Sequence, residues 1–476
     1  MTTLTEPGTL TTPRSSRLMW AILALVLLAD ALDVIDGTVT NIAAPTIAGE
    51  LHGGESLIKW LGPAYMLAMG VLLVVGGRLG DKFGQRRLFL IGMGGFTAAS
   101  ACAGFSPDPV LLIAARVTQG AFGALLIPQG MAIMTKAFDR EMLGRAFGLF
   151  GPVLGLSSVG GPVLAGFLIS ADLFGLSWRP IFLINVVIGG IGLAVAARIL
   201  PRDDDGGRST VVDGWGSGLL AVGMLGLLHG LIEGSGNGWG AIAFVSIALG
   251  VLFLAAFARR QRTAAHPLVK PSLMRNRGFT SGMLVSLVAV AAGTGLLFVL
   301  SLFLQEGLRV SPRNTSLGLL PVTLGIVAAG FAAMGGLVAK LGRRLVFIGL
   351  TVDLAGCGWV LVLVVHSGTD AGLWALAPAF FLIGAGIGLS FATIPVVALG
   401  DAKPDEAGSA SGSFSSIQQL ASAMGSAMVT SIFFQAADSG LGHAMEVCLV
   451  VILAVTALSL PVVALMPRKA PSEAHQ

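Results

Sequence analysis

Fourteen apolar runs of roughly twenty residues, separated by short polar connections, constrain this chain more than any other feature. Twenty helical residues rise about 30 Å, the thickness of a bilayer's hydrocarbon core. An unpaired backbone N–H or C=O in that core costs several kcal/mol, so a chain crosses it as helix or closed barrel. The runs fall at roughly 18–44, 57–77, 88–106, 110–134, 144–170, 181–200, 214–233, 239–258, 279–303, 316–337, 345–366, 373–399, 408–436 and 443–466. They predict an all-α integral membrane protein with 14 transmembrane helices. Composition agrees: 54% of residues are apolar and mean hydropathy is +0.86. Only 11% are charged, against about a quarter in soluble domains.

A net charge of +4 and a pI near 9.2 would fit a nucleic-acid binder, but the basic residues occupy short connections between apolar runs. With the N-terminus inside, 24 of the 29 Lys and Arg lie in inside segments. Lys59, Arg179, Arg309 and Arg313 lie outside, and Arg116 alone lies within a run. The positive-inside rule therefore predicts two cytoplasmic termini, and no nucleic-acid role is expected. Cys102, Cys357 and Cys448 sit singly in apolar runs, so neither a disulfide frame nor a metal site is expected. The tail Met1–Ser16, rich in Thr and Pro, reads as disordered. The run after it lacks a cleavage site and carries three aspartates, which marks a retained first helix rather than a signal peptide.

Charges inside the runs are the candidate functional groups, because an intramembrane ion is costly and faces the bundle interior. Asp30, Asp33 and Asp36 recur every third residue of segment 1. Each step turns about 60° and rises about 4.5 Å, so the three form a ladder on one face. Asp33 and Asp36 fall in the outer half, within reach of Arg116, about 9 Å below the outer end of segment 4. Asp353 in segment 11 reads equally as a second proton site or a structural partner. Glu233 and Glu306 read as interface residues, His229 as a packed, hydrogen-bonded histidine, Trp60 as an interface aromatic and Tyr65 as cavity-lining.

A weak repeat relates Gly76–Arg87, after segment 2, to Gly335–Arg344, after segment 10. It pairs segments 1–6 with 9–14 and makes 7 and 8 an inserted pair. The divisions are a tail at 1–17, a six-helix bundle at 18–200 and a linker with the inserted helices at 201–278. A second bundle at 279–467 and a tail at 468–476 follow. Two parallel-related bundles around a midplane cavity form a transporter plan. No GxxxxGK[ST] occurs, and Gly384, Gly386 and Gly388 lack a surrounding βαβ unit. No catalytic constellation is present, so no enzyme and no cofactor are expected.

Several ordered motifs resemble the major facilitator superfamily, in particular its fourteen-helix drug:proton antiporters. The signature GxLxDRxGRR appears as Gly77, Leu79, Asp81, Lys82, Gly84, Arg86 and Arg87, with Lys for the first Arg. RxxQGxxxA appears as Arg116, Gln119, Gly120 and Ala124, and GPxxGG as Gly161, Pro162, Ala165 and Gly166. DxTxxNxALP appears as Asp36, Thr38, Asn41, Ala43, Ala44 and Pro45. Trp178–Asn185 entering segment 6 and Leu304-Gln305 closing segment 9 add to the likeness.

The resemblance implies a proton-driven antiporter that exports small hydrophobic, often cationic molecules by alternating access. A dedicated exporter of one self-made metabolite is the alternative; solute symport on the same fold is disfavoured by the segment 5 pattern. Proton coupling is expected at Asp33, Asp36, Arg116, Asp30 and Asp353. Substrate contact is expected at Asp33, Asp36, Asn41, Tyr65 and Gln119. Gly77, Asp81, Gly84, Arg86 and Arg87 would form a cytoplasmic gate, with Asp81 pairing either a neighbouring Arg or a helix N-terminus. Pro152, Gly161, Pro162 and Gly166 would give segment 5 a smooth, kinked face along which the halves rock without leaking protons. The expected setting is a monomer among lipids of a bacterial plasma membrane.

Overall fold

A computed structural model describes residues 16–138, 140–203, 213–237, 239–265, 267–269, 271–370, 372–400 and 407–468. The expected tail disorder lies outside these residues. The described chain is helical, with no strand. The first half comprises α1 (Ser16–Glu50), α2 (Gly54–Phe83), α3 (Gln85–Gly104), α4 (Pro109–Ala137), α5 (Arg140–Ala171) and α6 (Pro180–Ile199). A helical hairpin, α7 (Gly214–Asn237) and α8 (Ala241–Thr263), leads to the short α9 (Pro271–Arg275). The second half holds α10 (Arg277–Leu302), α11 (Pro312–Gly318), α12 (Leu320–Ala332), α13 (Val338–Leu341), α14 (Arg343–Ser367), α15 (Ala377–Leu399), α16 (Ala407–Ala436) and α17 (Leu441–Val463).

Thirteen described helices or joined helices are long and apolar enough to cross a membrane. The expected fourteenth, α5, is a continuous helix of 32 residues whose apolar stretch is Leu156–Ala171. Several helices exceed the lengths that hydropathy predicts. The first, of 35 residues, extends about 53 Å, because polar terminal turns continue the backbone hydrogen bonding beyond the apolar run. The segment expected at 316–337 is instead broken. It comprises α11, α12 and a π-turn at Ala333–Leu337, where Gly336 adopts φ +95°. That left-handed conformation is open to glycine at little steric cost.

Close glycine contacts set the helix spacing. Gly384 of α15 lies against the backbone carbonyl of Val322 in α12, and a side chain there would overlap it. Gly386, on another side of α15, abuts the backbone of Gly349 and Asp353 in α14. The triplet Gly384, Gly386, Gly388 thus packs α15 between two neighbours, as small residues do where apolar lipid provides no drive for association. The α7–α8 hairpin docks beside the meeting line of the halves. Met224, Leu228 and Ile232 of α7 share a buried cluster with Leu67 and Val71 of α2 and with Leu420, Ala423 and Ala427 of α16.

Candidate functional site

A fully buried polar network occupies the first half. Asp36 of α1 and Arg116 of α4 form an ion pair in which neither side chain is exposed. The Asp36 Oδ1 atom also accepts from Gln119 Nε2 at 3.0 Å and from Asn185 Nδ2 of α6 at 2.7 Å. Gln119 accepts in turn from Arg116 Nη1 at 3.0 Å and donates to Ser100 Oγ of α3 at 2.8 Å. Arg116 Nε donates to the Leu61 carbonyl at 3.3 Å, and its guanidinium lies 4.4 Å from the Tyr65 ring centroid. The helical period explains the convergence, since Arg116 and Gln119 are three residues apart on one face of α4. A buried charge survives only when paired and hydrogen-bonded, and this network meets both needs at Asp36.

One turn nearer the N-terminus, Asp33 accepts a hydrogen bond from the Tyr65 hydroxyl of α2. Tyr65 is buried between that carboxylate and Arg116. Asp30 is also buried, and its Oδ1 has no hydrogen-bond partner among the described residues. The ladder thus descends from a saturated carboxylate through a singly bonded one to one with an unsatisfied oxygen. Asp353 lies apart in the second half, buried on α14, with the Cys357 thiol 3.9 Å away as its partner. His229 is exposed and bonds Ser246 Oγ across the α7–α8 hairpin at 3.1 Å.

Motif residues also mark the meeting of the halves at the end remote from the termini. Ser301 Oγ of α10 donates to the Asn41 carbonyl at 2.7 Å, and Ser316 Oγ of α11 donates to the Pro162 carbonyl at 2.7 Å. Gly166 packs against Ser316 and the Pro312 carbonyl, whereas Gly161 faces Thr38 within its own half. Lys59 of α2 is buried, pairs with Glu55 at 3.1 Å and sits 5.1 Å from the Phe434 ring of α16. The Pro152 side chain lies outside the described residues.

The loop between α2 and α3 differs from expectation. Gly84, at φ +97°, turns the chain so that α2 ends at Phe83 and α3 begins at Gln85. Asp203, not Asp81, takes the N-terminus of α3, accepting from the Arg86 and Arg87 N–H groups at 2.9 and 3.0 Å. Asp81 lies exposed in the last turn of α2, with no ion pair among the described residues. A carboxylate placed there faces the negative end of its own helix dipole and gains nothing from it. Arg86 completes a reciprocal arrangement by donating to the Ala197 carbonyl near the end of α6 at 2.6 Å. Arg78 reaches the Pro267 carbonyl at 2.6 Å, tying this loop to the linker beyond the hairpin. Gly77 faces Pro128 of α4.

Sequence reasoning did not single out Asp203 or the buried state of Lys59. Asn185 appeared only as the end of the motif entering segment 6, with no partner assigned, and Ser100 was not singled out at all. An apolar cavity of about 680 Å³ lies to one side, among α2, α4, α7 and α8, lined by Trp60, Ala64, Val117 and Leu225. It does not contain the charged network: Ala64 and Val117 face it while their neighbours Tyr65 and Arg116 face inward. Tyr65 is therefore a member of the network and does not line this cavity.

Thirteen apolar spans among the described residues, two halves joined across a seam and a buried charged network in the first define a polytopic membrane protein with the plan of a transporter. Residues 26–426 match the Major Facilitator Superfamily, and the chain belongs to that family. It is 38% identical to the "Probable actinorhodin transporter" of Streptomyces coelicolor, over 90% of this chain and 74% of that one. It is 34% identical to the puromycin resistance protein of Streptomyces alboniger, over 87% and 81%. The multidrug efflux pump LfrA of Mycolicibacterium smegmatis is 29% identical over 90% and 83%. The fold is similar to that of the Escherichia coli xylose transporter XylE in a partially occluded inward open conformation. That likeness has TM-score 0.63 and 14% identity, over 94% of this chain and 97% of that one.

Proposed function

We propose that this protein is a proton-coupled exporter of hydrophobic, often cationic small molecules in a bacterial plasma membrane. On this reading α5 is the fourteenth span, both termini are cytoplasmic, and residues 18–200 and 279–467 form two six-helix halves that rock about a central substrate path. The 201–278 segment carries the inserted pair, and the working unit is a monomer driven by the proton gradient, without a cofactor.

The carrying observation is the Asp30, Asp33, Asp36 and Arg116 set, buried inside one half with graded hydrogen bonding. Burial of this much ionisable chemistry in a spanning helix has no structural need that apolar packing would not meet at lower cost. Export rather than uptake is supported by the names of the relatives, which are resistance, efflux and antibiotic-transport proteins. Loosening of the Ser301–Asn41 and Ser316–Pro162 contacts would open the outer face while Asp203 keeps the inner loop capped.

A narrower reading, export of one self-made antibiotic, is favoured by the 38% likeness to an actinorhodin transporter. Everted vesicles separate the two. A broad pump accumulates ethidium, a neutral macrolide and a lipophilic anion to different extents on energisation, with proton release. A dedicated exporter of that kind accumulates none of the panel but takes up actinorhodin. Accumulation that ignores a collapsed proton gradient would refute antiport in either form.

A further inference from the structure

We infer that the coupling proton resides on Asp33, with Asp30 as its inward relay, and that Asp36, the family-motif aspartate, is a fixed counter-ion for Arg116. The inference rests on the antiport reading above and assigns different tasks to three carboxylates that spacing alone leaves equivalent.

A proton carrier needs a vacant oxygen and a route to water. Asp36 has neither. Its side chain is 0% exposed, Oδ1 accepts from Gln119 and Asn185, and Oδ2 accepts from Arg116. Protonating it would turn an acceptor toward three donors and strand a buried guanidinium. Among the described residues Asp33, 8% exposed, uses only Oδ1, toward Tyr65, and Oδ2 accepts no hydrogen bond. Asp30 is 7% exposed, with Oδ1 unbonded among the same residues. It lies one step of about 4.5 Å along the same helix face, a spacing that one water bridges.

The surroundings of Asp33 suit exchange of a single charge. On its own helix the facing charges are Asp30 and Asp36. From α2 it meets the Tyr65 hydroxyl, and from α4 Arg116 reaches it only across the Tyr65 ring. Gly123 of α4 supplies the remaining wall. A methyl there would sit 3.4 Å from both Asp33 Oδ1 and the Tyr65 hydroxyl, so the absent side chain leaves room beside the pair. Among the described residues no other Lys, Arg, Asp or Glu bonds or pairs with Asp33. Uptake of a proton from outer water at Oδ2 neutralises Asp33 while Oδ1 still accepts from Tyr65. Passage through water to Asp30 re-ionises Asp33, and release from Asp30 to inner water completes one inward proton. Asp36 and Arg116 keep their charges throughout.

Infrared pH-difference spectroscopy of the purified protein tests this without a substrate. The protonated-carboxyl C=O band that grows on acidification should lose its main component in Asp33→Asn and a second component in Asp30→Asn. It should regain a shifted component in Asp33→Glu. Asp36→Asn strands Arg116 and risks misfolding, so the paired change Asp36→Asn with Arg116→Gln is the control, and it should retain the Asp33 component. Loss of the band in the paired variant, with its retention in Asp33→Asn, would overturn the assignment. A band that follows Asp33 in a protein whose efflux ignores the proton gradient would leave the assignment standing and remove the antiport reading.

Discussion

Replacing Arg116 by Ala should be among the most damaging single changes in the chain, and the damage should be reversible at a second site. The side chain is wholly buried and supports Asp36, Gln119 and the Leu61 carbonyl while stacking on Tyr65. Removing one partner of a buried ion pair costs about 3–5 kcal/mol, because the other charge is left without compensation. Native proteins are stable by only about 5–15 kcal/mol, which leaves little margin after such a loss. Adding Asp36→Asn to Arg116→Ala removes the stranded charge. The Asn Oδ1 still accepts from Gln119 and Asn185, so only a cavity and the Gln119 Oε1 and Leu61 carbonyl acceptors that Arg116 served remain, a residual cost of about 1–3 kcal/mol. The assay is heating of a fluorescent fusion in detergent, followed by size-exclusion readout of the folded fraction. Arg116→Ala should lower the apparent melting temperature by on the order of 5 °C or more, and the double variant should recover part of it. A double variant that melts below Arg116→Ala would refute the argument, because it would mean that the stranded carboxylate is not what destabilises the single variant.

Further expectations concern the loop, the helix spacing and the hairpin. Asp203→Asn weakens the cap on α3 and should cost about 0.5–2 kcal/mol, whereas the exposed Asp81→Asn should stay within about 0.5 kcal/mol, both read as melting shifts. Gly384→Ala drives a methyl into the Val322 carbonyl and should cost about 1–3 kcal/mol or force α12 and α15 apart, measurable by cross-linking of paired cysteines in the two helices. Burial pushes the Asp213 carboxyl up, but the Arg260 hydrogen bonds at 2.7–3.0 Å, the Gly216 N–H and the charges of Arg260 and Arg78 outweigh it and hold it below the usual carboxylate range. A lowered folded value stabilises above the unfolded value of about 3.9 and loses that contribution as pH falls through the folded one. The melting gap between the unmodified protein and Asp213→Asn should therefore be flat from about pH 8 to 5 and close only below about pH 4.

The helical membrane class was legible from hydropathy, and the reach of Arg116 to Asp33 or Asp36 from depth, because the helical rise converts sequence position into ångströms. Azimuth between different helices is not so encoded. Three aspartates on one face looked alike, and only packing reveals that Asn185 and Gln119 converge on Asp36 while Asp30 Oδ1 meets no donor among the described residues. The loop after α2 was misread for a related reason. Its motif names Asp81, but the acid that reaches the α3 N-terminus, Asp203, comes from more than a hundred residues away. The break at Gly336 was hidden because an apolar run carries no sign of where a helix yields to a π-turn. Burial of Lys59 was equally hidden, since it depends on Phe434 of the other half.

Antiport itself is tested most directly in proteoliposomes holding the purified protein, an internal pH-sensitive dye and ethidium outside. With the interior acid, ethidium should accumulate, and adding it without a gradient should shift internal pH in the alkaline direction as protons leave in exchange. Asp33→Asn should abolish both signals while still exchanging ethidium for ethidium. Accumulation of ethidium at equal pH with no change in the dye, in the unmodified protein, would contradict proton-coupled export.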